Sequence, residues 1–599
     1  MKKEKKLKMP IKRIISNNML ILKMIYSSSP LLIWSSIILN VIIAFTSFIS
    51  NTFVLRYAIN GINEGRSFES IVATILFWSF ILILTSSINS IYSNYYFNIK
   101  MTEVTRDIYN KAYKKAAQVE LSCYEDPKYY DTFVKAIDEC GERANEVVWS
   151  INNLIYTVIT FSSNMALIIF IDPLLLVFIL ISLISVPITA KRNRTRYEKN
   201  MALKEERRHR DYSKRTFYLS DYAKEMRLSS MPGLMLRHFK ESGERSIAIV
   251  KKYGFSLATL GYLYDIINNI FSTLGATLYA TWQTFVTGRI GYGDCIIIVN
   301  SIDTISWTLA NSTTTLLNFQ DNAMYIENLR TFLDYEPKIR SGNTKLPESG
   351  DLILDNINFR YDGSDKDTLH NVSLKIGKNE KIAIVGHNGA GKSTLVKLLL
   401  RLYDTNESIT YGGIDIKEFS IDEYRNIFST VLQDCHVFAM SVKDNVMLEK
   451  RDKYDDEIIE NALKKGGILE KINELPHKAD TLLTKEFDKN GIMLSGGEQQ
   501  KLAISHIYSK KNRFVILDEP SSALDPIAEY EMYNRMIDAC KDCAMIFISH
   551  RLSSAVMADR IYLMENGTAA ECGTHSELMS MGGRYAEMFK KQAANYTEV

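Results

Sequence analysis

Residues 386–394 read Gly386-His387-Asn388-Gly389-Ala390-Gly391-Lys392-Ser393-Thr394, a spacing of glycines, lysine and hydroxyls suited to holding a chain of phosphates. Glycines at both ends let the backbone curl so that several N–H groups face one anion. Lys392 reaches the terminal phosphates and Ser393 offers a hydroxyl to Mg²⁺. Downstream, Arg513-Phe-Val-Ile-Leu-Asp518-Glu519 is an apolar run ending in two carboxylates. Asp518 is placed to approach the metal. Glu519, one residue further on, is placed to polarise a water in line with the terminal phosphate. A third stretch, Leu494-Ser495-Gly496-Gly497-Glu498-Gln499-Gln500, opens a helix with two bare glycines and so makes a second anion site at a positive helix end.

Such groups act only if rigid elements hold them. Ile382–Val385 is a short apolar run that predicts a buried strand, and 394–400 predicts the helix behind the phosphate loop. The run ending at Asp518 is expected to lie beside the loop's own strand. Met545–Ser549 predicts a further strand with His550 at its end. Asn566-Gly567 between short apolar runs predicts a hairpin turn, and Thr574-His-Ser-Glu577 a capping box.

Taken together, these residues resemble the ATP-binding-cassette (ABC) family. Leu494-Ser495-Gly496-Gly497-Glu498 is similar to its signature motif. Tyr361 resembles the aromatic that stacks on adenine, and Gln433, after the strand-like 429–432, the glutamine that touches Mg²⁺ and senses the membrane domain. Ser522-Ala-Leu-Asp525 resembles the D-loop, and His550 the switch histidine at the γ-phosphate. The resemblance covers roughly 351–591. It implies ATP and Mg²⁺ as cofactors, with Ser393, Gln433 and Asp518 at the metal and Glu519, His550 and Lys392 in hydrolysis. Two departures stand out: Glu407-Ser-Ile after Tyr403-Asp404, and Asp488 before the signature, where glycine is more usual.

Over 599 residues the chain is 46% hydrophobic with net charge +3, and its mean hydropathy of −0.09 passes for a large soluble protein. The average conceals an asymmetry. Met24–Leu55, Ser70–Ile99, Val147–Ile171 and Pro173–Ala190 carry no charged side chain. Tyr253–Gly288 and Cys295–Gln320 are each interrupted by one carboxylate, Asp265 and Asp303. Runs near 20 residues cross a bilayer as helices, which predicts six spans and sets aside nucleic acid as a partner. Lys2, Lys3, Lys5, Lys6, Lys8, Lys12 and Arg13 precede the first run, and Lys191-Arg192-Asn-Arg194-Thr-Arg196 follows the fourth. Positive-inside logic puts the N-terminus and the ATPase in the cytoplasm of a multi-pass cell-membrane protein. The basic N-terminus reads as an elbow helix on the membrane surface rather than a signal peptide.

The fold class expected is therefore an all-α six-helix transmembrane domain, residues 1–340, followed by an α/β P-loop ABC ATPase domain, 341–599. A turn-rich linker from about Tyr335 to Gly350 joins them. Ser122-Cys-Tyr-Glu-Asp-Pro-Lys is similar to the first coupling region of ABC exporters, where a short helix docks on the ATPase. Lys224-Glu-Met-Arg227 resembles an element of their second loop, and Gly288–Asp294 their last external turn. Cys540-Lys-Asp-Cys543 has redox or metal spacing without a second pair nearby and reads as incidental.

The resemblance implies an exporter-type half-transporter. Its partners are a second copy or a paired half-transporter, membrane lipid, and a transported drug-like molecule, peptide or lipid. An ATP-gated channel or a substrate-sensing membrane ATPase is the alternative. Asn300, Asp303, Trp307 and Asn311 fall at helical spacing, as do Asp265, Asn268, Asn269 and Ser272, and Asn152, Asn153, Tyr156 and Thr160. These stripes predict a wet, net-acidic cavity.

Overall fold

The computed structural model describes residues 9–433, 435–449, 454–520 and 526–597, with the side chains of 526–529, 539 and 594–597 left aside. The chain divides into two compact units. One holds the described residues up to Gln118 together with Lys128–Tyr335. The other holds Val119–Pro127 and the described residues from Glu336 onward.

The first unit is helical. Ile11–Ser28 is followed by Pro30–Asn63, Phe68–Ala116, Pro127–Ile171 and Pro173–Tyr218. After a short helix, Ala223–Leu228, the chain runs through Met231–Asp265, a π-helical stretch Ile266–Leu274 and Gly275–Phe285, and then Tyr292–Asp334. Among the described residues, four helices are long and apolar enough to cross a membrane: Pro30–Asn63, Phe68–Ala116, Pro127–Ile171 and Pro173–Tyr218. The first charge-free run is not one helix. Ser29 takes an extended φ of −151° and Pro30 starts a new helix, so Met24–Ser28 belongs to the preceding one. Proline is tolerated at a first turn because the N–H it lacks has no partner there.

That N-terminal helix is fastened to the last long one. Arg13 pairs with Glu327 at 2.7 Å, Asn17 donates to Glu327 at 2.6 Å, and Arg330 donates to Asn17 at 2.7 Å. Deeper in the unit, polar groups bridge helices. Ser182 Oγ lies 2.7 Å from Ser272 and 2.8 Å from Ser306, while Asn311 donates to Asn153, which donates to Thr315. Small residues and shared hydroxyls are what let apolar helices pack without a driving force from water. At the far end of the helices, Arg56 pairs with Asp294 at 2.8 Å, and Gly293 N–H donates to Asn60 at 2.9 Å. A Cβ on Gly293 would sit 2.6 Å from that Asn60 oxygen, so glycine is required for the approach.

The second unit holds two sheets. The smaller has order β2-β1-β4-β5, from β1 (Leu352–Phe359), β2 (Leu369–Ile376), β4 (Ile409–Tyr411) and β5 (Ile414–Asp415). The larger has order β10-β9-β3-β8-β7-β6, from β3 (Lys381–Gly386), β6 (Phe428–Val431), β7 (Phe514–Asp518), β8 (Ala544–Ile548), β9 (Arg560–Glu565) and β10 (Thr568–Gly573). β3, β7 and β8 are buried almost throughout, as parallel strands covered on both faces must be. The β9–β10 hairpin turns at Asn566 and Gly567, both at positive φ, as a primed turn requires. Thr574 and Glu577 form the expected capping box.

One expectation fails here. The strand ending at Asp518 does not lie beside the loop's strand, because β8 runs between them, paired in parallel with both. Apolar content and a carboxylate terminus mark a central strand but carry no order. From Glu336 on, the linker belongs to the second unit rather than running free: Gly342 and Thr344 N–H donate to the carbonyls of Phe419 and Glu418.

Candidate functional site

The phosphate loop leaves β3 at Gly386 with φ of +151°, and Gly389 and Gly391 follow at +80° and +97°. A Cβ on Gly386 would collide with the Met564 carbonyl oxygen of β9, whereas one on Gly389 would meet nothing. The first glycine is thus set by strand packing and the second leaves an open concavity. The helix Lys392–Leu399 starts at once, with its first turn facing that concavity. His387, Asn388, Gly389 and Ser393 are exposed, while Ala390, Gly391, Lys392 and Thr394 are buried.

Lys392 is only 5% exposed, and its Nζ donates to the Gly386 and His387 carbonyls at 3.0 Å each. Burial holds its pKa below the usual lysine value, against the pull of Glu519 and Asp518. Asp518 is 6% exposed, and its Oδ1 has no hydrogen-bond partner. Burial first, then the charge of Glu519, pushes its carboxyl above the ordinary range. Ser393, Lys392 and His550 offset part of this. A buried carboxylate oxygen left unpaired beside a serine hydroxyl and a lysine calls for a cation. These groups therefore fit a nucleotide–metal complex, the Asp518 carboxylate and the Ser393 hydroxyl being oxygen donors of the kind such a cation takes. No cluster of three or more His, Cys, Asp or Glu side chains suited to a metal occurs among the described residues, so phosphate oxygens and water would complete the shell.

Glu519 follows β7 with φ of +51°, a left-handed conformation uncommon for a side chain of this size. Its N–H donates to the Ile548 carbonyl at 3.1 Å. Its carboxylate meets His550 Nε2, with side chains 17% and 38% exposed. Such strain gathers where a side chain must be aimed. Sequence reading placed His550 near the site but not against Glu519. It also missed Gln592, whose amide donates to the His550 carbonyl at 2.8 Å and accepts from Leu552 N–H at 2.9 Å. That partner is 42 residues away and no local pattern announces it.

Tyr361 sits in an aromatic triangle with Phe359 and Tyr403, at 4.9 and 5.2 Å between ring centres. Its hydroxyl lies 3.0 Å from Thr394 Oγ1. Gln433 is exposed beyond β6. Ser495 caps the helix Gly496–Ile507 in a closed box. Ser495 N–H donates to Glu498 at 2.8 Å and Glu498 N–H to Ser495 Oγ at 3.4 Å. Nothing would obstruct a Cβ on Gly496 or Gly497, so this end is bare. Leu494 and Leu502 pack in a cluster of their own with Val442, Val446 and Ile459, separate from the core behind the phosphate loop. The D-loop residues 522–525 lie outside the described residues.

The two departures build ordinary turns. Glu407 accepts from the Asn358 amide and the Thr405 hydroxyl, and Asp488 accepts from Asn490 N–H at 2.9 Å. Cys540 and Cys543 are both buried and free.

Comparison with known proteins agrees with this geometry. The family model described as ABC transporter matches residues 369–522. A subtilin transport ATP-binding protein of Bacillus subtilis is 27% identical over 567 residues, covering 92% of this chain and 89% of that protein. An ATP-dependent lipid A-core flippase of Escherichia coli is 31% identical over 343 residues, 57% of this chain and 58% of the flippase. Among solved structures, a bacterial Atm1-family ABC exporter with ATP bound superimposes with a TM-score of 0.77 at 22% identity, over 94% of this chain and 98% of that one. Apolar helices followed by an α/β ATPase make a multi-pass membrane protein whose ATP hydrolysis is coupled to transport. The chain is an exporter-type ABC half-transporter, its membrane domain and ATPase domain carried on one polypeptide.

Proposed function

We propose that the protein exports a cationic, peptide-like substrate across the cytoplasmic membrane as a homodimer with two competent ATP sites. Six spans carry the substrate path, with the N-terminus and the ATPase in the cytoplasm. The observation that carries the hydrolytic half is the buried, unpaired Asp518 oxygen beside Lys392 and Ser393, with the Glu519–His550 pair next to it.

Ser393, Asp518 and Gln433 would hold Mg²⁺, which supplies charge neutralisation on the phosphates. Loop N–H groups and Lys392 hold the triphosphate, and Tyr361 offers a face to the base. Glu519 accepts a proton from the attacking water, with His550 fixing its carboxylate. The bare Ser495–Gly497 end packs in a different cluster from the phosphate loop. That separation supports a site closed by the signature of a second copy. Signature, Glu519 and His550 are all intact here, which supports two working sites rather than one.

For the substrate, a cavity of about 240 Å³ is lined by Asn51, Tyr156, Thr160, Asn164, Asp303 and Trp307 among others. No lysine or arginine lines it, and Asp303 has no ion pair among the described residues. A carboxylate with aromatic neighbours favours an organic cation. Asp265, expected to join it, is exposed and does not line this cavity. The subtilin transport relative supports a peptide-like cargo.

The test is uptake of a labelled cationic peptide into inverted vesicles holding this chain alone. ATP-dependent uptake that Asp303→Asn and Glu519→Gln both abolish is expected. ATP loss without uptake would favour a channel or sensor. Activity only after adding a second half-transporter would remove the homodimer.

A further inference from the structure

Val119–Pro127 interrupts the membrane unit yet belongs to the ATPase unit. Its short helix Leu121–Glu125 ends on a carboxylate that touches two residues of the ATPase core. Glu125 Oε1 accepts from Lys397 Nζ at 2.9 Å, and Glu125 Oε2 accepts from the Tyr403 hydroxyl. Both partners surround Tyr361. The Tyr403 ring stands edge-on to it, at 5.2 Å and 86°. Lys397 Nζ lies 5.4 Å from the centre of the Tyr361 ring and 5.6 Å from that of Tyr403. Lys397 shares the helix Lys392–Leu399 with Thr394, whose hydroxyl meets that of Tyr361. Remove Glu125 and two of the groups that hold the Tyr361 ring lose their anchor.

We propose that Glu125 is a positioning residue for nucleotide-base binding, tying the coupling segment to Tyr361 through Lys397 and Tyr403. It rests on the reading of Tyr361 as the base-stacking residue. Ring, hydroxyl and ammonium are preassembled, so base binding does not have to order them. By linkage, whatever moves the coupling segment alters affinity for the base, and base binding steadies the segment to the same extent. The protonation states agree. Burial first, then Glu125, pushes the Tyr403 phenol well above its ordinary value, so it remains a donor. Burial pushes the Glu125 carboxyl up, but hydrogen bonds from Tyr403 and Lys397 outweigh it, and the acid is held below its ordinary value.

The experiment uses the full-length protein in proteoliposomes, with KM and kcat for MgATP and the inhibition constant of inorganic tripolyphosphate, which has phosphates and no base. Glu125→Gln keeps size and removes the ion pair. Tyr403→Phe, the second variant, removes only the hydroxyl. In both, KM for ATP is expected to rise roughly five- to tenfold, as for an aromatic side chain that must be ordered on binding. The kcat and the tripolyphosphate constant should stay within about twofold. Amide exchange adds the reciprocal readout: ATP should protect the peptide spanning 119–127 more than tripolyphosphate does, and Glu125→Gln should erase the difference.

Tyr361→Ala separates the two failures. If it raises KM while Glu125→Gln and Tyr403→Phe leave KM unchanged, the Glu125 proposal falls and the stacking role stands. If it leaves KM unchanged, both fall. Parallel weakening of ATP and tripolyphosphate in Glu125→Gln, or equal protection of 119–127 by the two ligands, overturns the proposal in favour of simple structural support.

Discussion

Replacing Glu519 by glutamine isolates the chemistry of one carboxylate. Glutamine matches glutamate in size, and the side chain is mostly enclosed against His550. Its backbone sits at φ +51°, which both residues bear at equal cost. The Lys392 and phosphate-loop geometry lies on another strand and is untouched. Binding should therefore hold, with affinity for ATP within about twofold. The proton acceptor is gone, and removing a positioned general base costs about 10²- to 10⁴-fold in rate. At about 1.36 kcal/mol per decade, that is ~2.7–5.4 kcal/mol on the barrier. Phosphate release by the reconstituted protein measures the rate, and photolabelling with an azido-ATP measures binding. Hydrolysis near the wild-type rate in Glu519→Gln would refute the base assignment. Lost labelling with lost hydrolysis would show that Glu519 organises the site instead.

Lys392→Ala should do the reverse, abolishing photolabelling, and retained labelling counts against the phosphate role. Asp518→Asn should raise the melting temperature of the nucleotide-free protein at neutral pH by removing a buried charge worth roughly 1 kcal/mol. The Asp518 carboxyl is held above its ordinary value, so its contribution favours folding below about pH 4 and is lost as pH rises through the raised value. The same variant should lose Mg²⁺-dependent ATP retention, and an unchanged or lower melting temperature argues against an uncompensated charge. Gly386→Ala puts a methyl on the Met564 carbonyl in a strained conformation, costing on the order of 1–3 kcal/mol, and should cut both melting temperature and ATP binding. Arg56→Ala strands the mostly buried Asp294 and should destabilise by about 1–3 kcal/mol in detergent melts. The exchange Arg56→Asp with Asp294→Arg should recover at least half of that loss.

The ATPase half was legible wherever function depends on local spacing. The loop 386–394, the Ser495–Glu498 box, the Asn566-Gly567 turn and the Thr574–Glu577 cap all form from neighbours in sequence. What resisted reading is long-range. Nothing in 513–519 tells which strand it pairs with, and β8 arrives from some thirty residues downstream to separate it from β3. The Glu519–His550 contact and the Gln592 brace are likewise set by sheet order. In the membrane half, hydropathy found the apolar runs but not their breaks. An uncharged stretch looks continuous across Ser29–Pro30, although serine followed by proline is itself a helix-start signal. The π-helical stretch 266–274 left no mark in residue type.

The placement of Val119–Pro127 has a consequence for how the chain is made. The segment leaves the ribosome early, but the surface it belongs to begins at Glu336. At about 5–20 residues per second it waits on the order of 10–40 s before that surface begins to appear, and roughly 20–90 s before Met564, the last residue of the core it packs against, is made. Meanwhile Leu121, which packs against the ATPase core, and Cys123, which ends up buried, have nowhere to go. An ATPase domain that folds late or badly therefore leaves a half-finished membrane domain displaying this segment. By the same logic, residues 336–599 produced alone would leave uncovered the part of the ATPase core that Leu121 packs against, and should be less soluble than the same residues supplied with the peptide 119–127.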